Sequence, residues 1–234
     1  GVYLDGQNGS DGNAGTEPGS AVRTWEKAVE LLKQYSKTPP AEASRETGFQ
    51  PTIYIVGTVD LADGQTIALP QGEVDMSLYQ AYEKSQGREP EYAMAKRYSR
   101  FLSGPIFRLK SGAASFENIK IFTNYVEMAS GFEADKSPML EGLSGTTLTL
   151  DNGTRFLGSL SSNKGALQTA GALVLHQSYT PDDVDEVNDE RHGNLIDFSG
   201  YGSIGLVSEG ASLTMTGYAT MRTGSNYLVE PGYS

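Results

Sequence analysis

Residues 112–121 read GAASFENIKI, 145–150 read GTTLTL, 171–175 read GALVL and 210–215 read GASLTM. In each, a glycine and small or polar residues lead into a run whose apolar members alternate: Phe116, then Ile119 and Ile121; Leu148 and Leu150; Leu173 and Leu175; Leu213 and Met215. Successive side chains of a strand point to opposite faces, so each copy reads as a strand with one buried side. The separations are 33 residues (112 to 145), 26 (145 to 171) and 39 (171 to 210), within the roughly 20 to 45 residues of stacked repeats. Uneven spacing implies loops of different length inserted between copies. Two architectures place glycine before an alternating strand, a solenoid of stacked strands and an antiparallel sandwich. The recurrence favours the solenoid, and the expected class is all-β.

Upstream, Thr52-Ile53-Tyr54-Ile55-Val56-Gly57-Thr58-Val59 is a β-branched and aromatic run of the kind buried on both sides. Gly64 precedes a second short strand through Thr66, Ile67, Ala68 and Leu69. From Ala21 to Gln34 the period changes. Val22, Trp25, Ala28, Val29, Leu32 and Tyr35 recur at steps of three and four, with Arg23, Glu26, Lys27, Glu30 and Lys33 on the other face, which predicts an amphipathic helix. Thr24 is its N-cap and Glu26 favours its dipole. Before it, DGQNGSDGNAGTEPGS (residues 5–20) is turn chemistry throughout. Residues 73–95 read as a partly helical excursion, and 180–192 as an acidic interruption.

The chain has 234 residues and a formal charge of −11, with 18 Lys plus Arg against 29 Asp plus Glu. That balance disfavours nucleic acid as a partner. Glycine is 28 of 234 residues, above the roughly 7 % of average usage, and points to many tight corners. There is no cysteine, which excludes disulfides, thiolate metal sites and a Cys nucleophile. No run approaches the roughly 18 apolar residues of a membrane span.

These residues resemble the right-handed parallel β-helix domains, pectate-lyase-like in fold, of large Gram-positive bacterial cell-surface, adhesin-like proteins. VYLDGQNGSDGNAGTEPGSAVRTWEKAVELL is similar to the leading loop and capping helix of those domains, and TIYIVGTV to their first buried strand. KRYSRFLSGPIFRLKSGAASFENIKI, TTLTLDNGTRFLGS and ASLTMTGYATMRTGSN are similar to successive coils. The resemblance implies one right-handed parallel β-helix over 1–234. Its leading loop and N-terminal amphipathic capping helix would occupy 1–37 and its coils 52–234, with insertions near 73–95 and 176–193. No capping element is evident at 227–234, so a piece of a longer, secreted or surface-anchored protein is expected. The implied role is a non-enzymatic binding, adhesion or stalk module, monomeric, meeting a glycan or a host or environmental surface protein. The alternative is a polysaccharide lyase or glycoside hydrolase using a lateral groove.

Three sets of residues carry candidate chemistry. Tyr79, Tyr82 and Tyr92 with Arg88, near Tyr98, Arg97 and Arg100, form the one local cluster of aromatic and basic groups, the residue types favoured at binding hot spots. Packing of the excursion accounts for the same residues. In TPDDVDEVNDERHG, Asp182, Asp183 and His192 offer acid–base groups for a glycosidic bond. The resemblance argues against that use, because in β-helix hydrolases such groups stand on successive coils and here they share one insertion. A short solvated helix capped by Thr180 explains the acidic run equally. Asp5, Asn8, Asp11 and Asn13 offer oxygen ligands for calcium, the one cofactor to consider. Side-chain to backbone bonds in consecutive turns explain that loop as well. His176, one of two histidines, follows a strand and reads as a hydrogen-bonded strand-end residue.

Overall fold

The fold was analysed in a computed structural model, which describes residues 1–40, 51–69, 71–88, 94–98, 104–117, 119–122, 138–151, 154–157, 167–177, 195–198, 204–217 and 220–223. The chain divides into two compact units, one of residues 1–59 and 69–101, the other of 60–68 and 102–234.

In the first unit, β1 (Val2–Asp5), β2 (Thr52–Gly57) and β5 (Met94–Arg97) pair in parallel in that order. Val2, Leu4, Ile53, Ile55 and Ala95 share the buried face with essentially no exposure. Helix α1 (Trp25–Lys37) starts where the sequence predicts: the Thr24 hydroxyl accepts from the Lys27 N–H at 3.2 Å. Its apolar stripe of Trp25, Ala28, Leu31 and Leu32 is buried, which is how an amphipathic helix gains most of its stability. Asp11 ties the leading loop to that cap by accepting from the Arg23 N–H (2.9 Å), the Thr24 N–H (3.0 Å) and the Thr24 hydroxyl (2.8 Å). Helix α2 (Ser77–Ser85) confirms helical structure inside 73–95.

In the second unit the strands fall into parallel sets. These are β3 (Val59–Leu61), β6 (Phe107–Leu109), β9 (Leu140–Gly142), β12 (Leu167–Thr169) and β15 (Ile204–Leu206); β4 (Gln65–Ala68), β7 (Ala113–Glu117), β10 (Thr147–Asp151), β13 (Ala172–Gln177) and β16 (Ser212–Gly217); and β8 (Lys120–Phe122), β11 (Arg155–Leu157), β14 (Leu195–Phe198) and β17 (Thr220–Thr223). The four glycine-led runs of the sequence are β7, β10, β13 and β16, side by side and in register: Ala114, Leu148, Leu173 and Leu213 form one row, Phe116, Leu150, Leu175 and Met215 the next. Phe107 packs edge-on against Phe116 at 5.2 Å between the two sets. At the outer face of β3 and β6, Arg108 clasps Asp60 through Nε (2.8 Å) and Nη2 (3.3 Å), joined by Lys110 at 3.3 Å.

The expected class is corrected by this architecture. The chain is α/β, with several parallel sheets and helices of 13 and 9 residues, and not an all-β, single right-handed parallel β-helix. The physical reason lies in what a repeat encodes. Alternation and a leading glycine specify that copies stack strand on strand, and they do. They do not specify how many sheets the chain builds, nor that two helical periods in the first hundred residues form part of its buried framework.

Candidate functional site

On the outer face of β1, β2 and β5 the pairing register sets Tyr3, Tyr54 and Lys96 in one row. The alternation that buries Val2, Leu4, Ile53 and Ile55 turns these three outward. Tyr98, two residues past Lys96, falls on the same side and is fixed by its own N–H, which donates to the Ile55 carbonyl at 2.8 Å. The Tyr3 and Tyr54 rings stack with centroids 5.2 Å apart and planes 24° from parallel. Tyr98 meets Tyr3 edge-on at 5.6 Å and 81°. Both geometries suit the ring quadrupole, and such pairs contribute roughly 0.5–1.5 kcal/mol beyond area burial.

All three tyrosines and Lys96 are half-buried. Burial first, then the neighbouring Tyr98, raises the pKa of Tyr3; burial, then Tyr3 and Tyr79, raises that of Tyr54. The Tyr3 and Tyr54 hydroxyls therefore remain protonated throughout the physiological range, able to donate and accept without charge. Among the described residues Lys96 forms no ion pair. The arrangement is a patch of ring surface, phenolic hydroxyls and one lysine amine.

The residues singled out in the sequence fall as follows. Tyr79, on α2, is 9 % exposed and lies close enough to Tyr54 to raise its pKa, so it backs the tyrosine patch. Arg88 is engaged with Glu83, Nε to Oε2 at 2.7 Å and Nη2 to Oε1 at 3.0 Å, and its guanidinium stands 5.9 Å from the Tyr82 ring centroid. The Arg88 hydrogen bond holds the Glu83 carboxyl below the usual carboxylate range. Gly87, at φ 69°, and the Arg88 N–H to the Glu83 carbonyl (2.9 Å) close the same helix end, so this pair terminates α2. Tyr92, Asp182, Asp183 and His192 lie outside the described residues.

In the leading loop, Asp5 Oδ1 accepts from the Gln7 N–H (2.9 Å) and the Asn8 N–H (3.0 Å), and Asn13 Nδ2 donates to the Ala21 carbonyl at 2.9 Å. With the Asp11 bonds above, these groups serve turns of the backbone. Partial burial pushes the Asp11 carboxyl up, and the bonds from Thr24 and Arg23 outweigh it and hold the carboxyl below its ordinary value. Among the described residues no group of three or more His, Cys, Asp or Glu is placed to hold a metal ion.

In the second unit, the register of β7, β10, β13 and β16 aligns Glu117, Asp151, His176 and Thr216 in one outward row. His176 Nδ1 lies 2.7 Å from Thr216 Oγ1, the hydrogen-bonded strand residue its sequence position implied. Neighbouring strands about 4.8 Å apart put the two carboxylates at adjacent positions.

Sequence reading missed Tyr3, Tyr54 and the Glu117–Asp151 pair. The available signal was parity. Each is an out-facing member of an alternating strand, and each gains its neighbour only through pairing with a strand 30 or more residues away. No family model, curated protein or solved structure matches this chain.

Proposed function

We propose that this protein is a non-enzymatic binding module of an extracellular bacterial surface protein, recognising a neutral glycan. The single observation that carries the reading is the patch of Tyr3, Tyr54 and Tyr98, with the Tyr3 ring in contact with the other two, on the outer side of a sheet in an otherwise acidic chain. Ring faces and edges pack against the C–H surface of a sugar, while uncharged hydroxyls exchange hydrogen bonds with its own. Placement on strands supports it further, because a rigid sheet holds the rings without an ordering cost on binding.

The test is a glycan panel on the purified chain followed by calorimetry on the best ligand. Tyr98→Ala and Tyr3→Ala are expected to weaken affinity about tenfold each, the scale of 1.4 kcal/mol. Retained affinity in both would refute the site. A second reading, a polysaccharide lyase or glycoside hydrolase, draws on Glu117 and Asp151, two carboxylates at directly paired positions of β7 and β10, the kind of pair such chemistry requires. Release of reducing or unsaturated ends with added calcium, abolished by Asp151→Asn, would replace the binding reading with that one.

A further inference from the structure

Tyr3 and Tyr54 stand at directly paired positions of β1 and β2, where strand pairing holds the two backbones about 4.8 Å apart. Their rings stack at 5.2 Å between centroids and 24° between planes. Tyr98 meets Tyr3 edge-on at 5.6 Å and 81°. Both members of the stacked pair are half-buried, which restrains the rings without sealing them from small solutes. The chain has 13 tyrosines, so chemistry selective for one pair has to come from placement. It has no cysteine, so no disulfide can tie β1 to the strand beside it.

A phenol that loses a hydrogen atom becomes a phenoxyl radical, its unpaired electron shared between the oxygen and the ring carbons, those ortho to the oxygen among them. Two such radicals combine through their ortho carbons. Between separate molecules that meeting is a chance encounter, but between two rings already in contact it is intramolecular and gains the advantage of fixed proximity. The stacked pair is the suitable one. Near-parallel rings side by side bring their ortho edges together after a small tilt, whereas an edge-on ring aims its edge at the face of the other. Tyr98, in ring contact with Tyr3, gives oxidation a second point of entry to the pair.

We propose that Tyr3 and Tyr54 are a site of oxidative modification, coupling to a dityrosine that fastens β1 to β2. Each phenol gives up its hydroxyl hydrogen atom to the oxidant, and a C–C bond forms between one ortho carbon of each ring. The hydrogens on those two carbons move to the two oxygens, which restores both aromatic rings and both hydroxyls. The oxidant is hydrogen peroxide acting through a haem peroxidase: one peroxide takes up the two hydrogen atoms and leaves as two waters. The link joins positions 51 residues apart in sequence (54 − 3) and restricts the unfolded chain as any cross-link does. It needs no ligand at the patch and does not rest on the glycan reading. In the test, the full chain in dilute solution is treated with a haem peroxidase and equimolar hydrogen peroxide, then followed by dityrosine fluorescence, intact mass and peptide mapping. The expected product is a single chain lighter by two hydrogens, with the Tyr3 and Tyr54 peptides joined, in a yield that falls about tenfold when the chain is first unfolded in urea. Tyr3→Phe and Tyr54→Phe keep the ring without its oxygen and are each expected to lose the product. Tyr82→Phe, on α2, keeps it, and circular dichroism establishes that all three variants are folded. A wild-type chain that yields no such product, or whose link joins other tyrosines, would overturn the proposal. So would a product that persists in Tyr3→Phe or Tyr54→Phe, that Tyr82→Phe also loses, or that forms equally well in urea.

Discussion

Gly112, Gly145, Gly171 and Gly210 occupy the same place in four copies of one pattern, and the structure predicts four different responses to alanine. At Gly210 the backbone lies outside the left-handed region and the nearest atom to an added Cβ is Ser208 Oγ at 4.0 Å. Alanine there restricts the unfolded chain without strain, and stability rises by about 0.4–1 kcal/mol. At Gly145, φ is +78° and nothing lies within 4 Å of the added carbon, so the cost is backbone strain alone, about 1–2 kcal/mol. At Gly171 φ is unremarkable but the Cβ would collide with the Thr146 carbonyl oxygen, 2.9 Å from its nitrogen and 3.0 Å from the Leu143 oxygen. That carbonyl accepts the Ala172 N–H at 2.8 Å, so relief requires parting two strands, and about 3 kcal/mol is the expected loss. Gly112 combines φ +75° with a Cβ 2.7 Å from that of Asp63, whose Oδ1 accepts from the Ala113 N–H at 2.9 Å; its loss is expected to equal or exceed that of Gly171. Urea unfolding followed by far-UV circular dichroism is the assay, because the single tryptophan, Trp25, reports only the first unit. The melting temperature is expected to fall by about 3 °C per kcal/mol. Equal costs at all four positions, or Gly145→Ala costlier than Gly171→Ala, would refute the assignment of distinct causes.

Leu148→Ala, in a fully buried row between Ala114 and Leu173, is expected to cost about 3 kcal/mol, whereas Met215→Ala, 47 % exposed in β16, costs under about 1 kcal/mol in the same urea assay. Asp11→Ala removes three accepted hydrogen bonds from an exposed carboxylate and lowers stability by about 1 kcal/mol, read from Trp25 fluorescence on unfolding. Because the Asp11 carboxyl is held below its unfolded value of about 3.9, its contribution is fully present above pH 4 and disappears as pH falls through the lowered native value. The wild-type loss of stability in that window is therefore expected to be steeper than that of Asp11→Asn. Glu83→Gln should accelerate amide exchange at Gln86, Gly87 and Arg88 while leaving β2 unchanged, and unaltered exchange at all three would show that the Arg88 pair does not hold the end of α2.

Several features were legible because they depend on neighbours in sequence. The spacing of Trp25, Ala28 and Leu32 and the hydroxyl of Thr24 determine α1 and its start. The run from Thr52 determines β2, and each glycine with its alternating apolar pair determines one of β7, β10, β13 and β16. The Tyr79, Tyr82 and Arg88 cluster was visible as composition, but whether its members face a ligand, a neighbouring Tyr54 or Glu83 is a question of packing. The all-β reading failed where local pattern was asked to state a global arrangement.

What this sequence determines by itself is which segments bury one face and where each turns, since periodicity and turn chemistry act over a few residues. Tertiary structure alone decides which out-facing residues become neighbours. Tyr3 meets Tyr54 across 51 residues of chain, Asp60 meets Arg108 across 48, and Glu117 stands beside Asp151 only because β7 and β10 keep one register. Parallel pairing leaves no trace in either strand of which partner it selects; that choice is made by the buried rows beneath, and the functional surface inherits it.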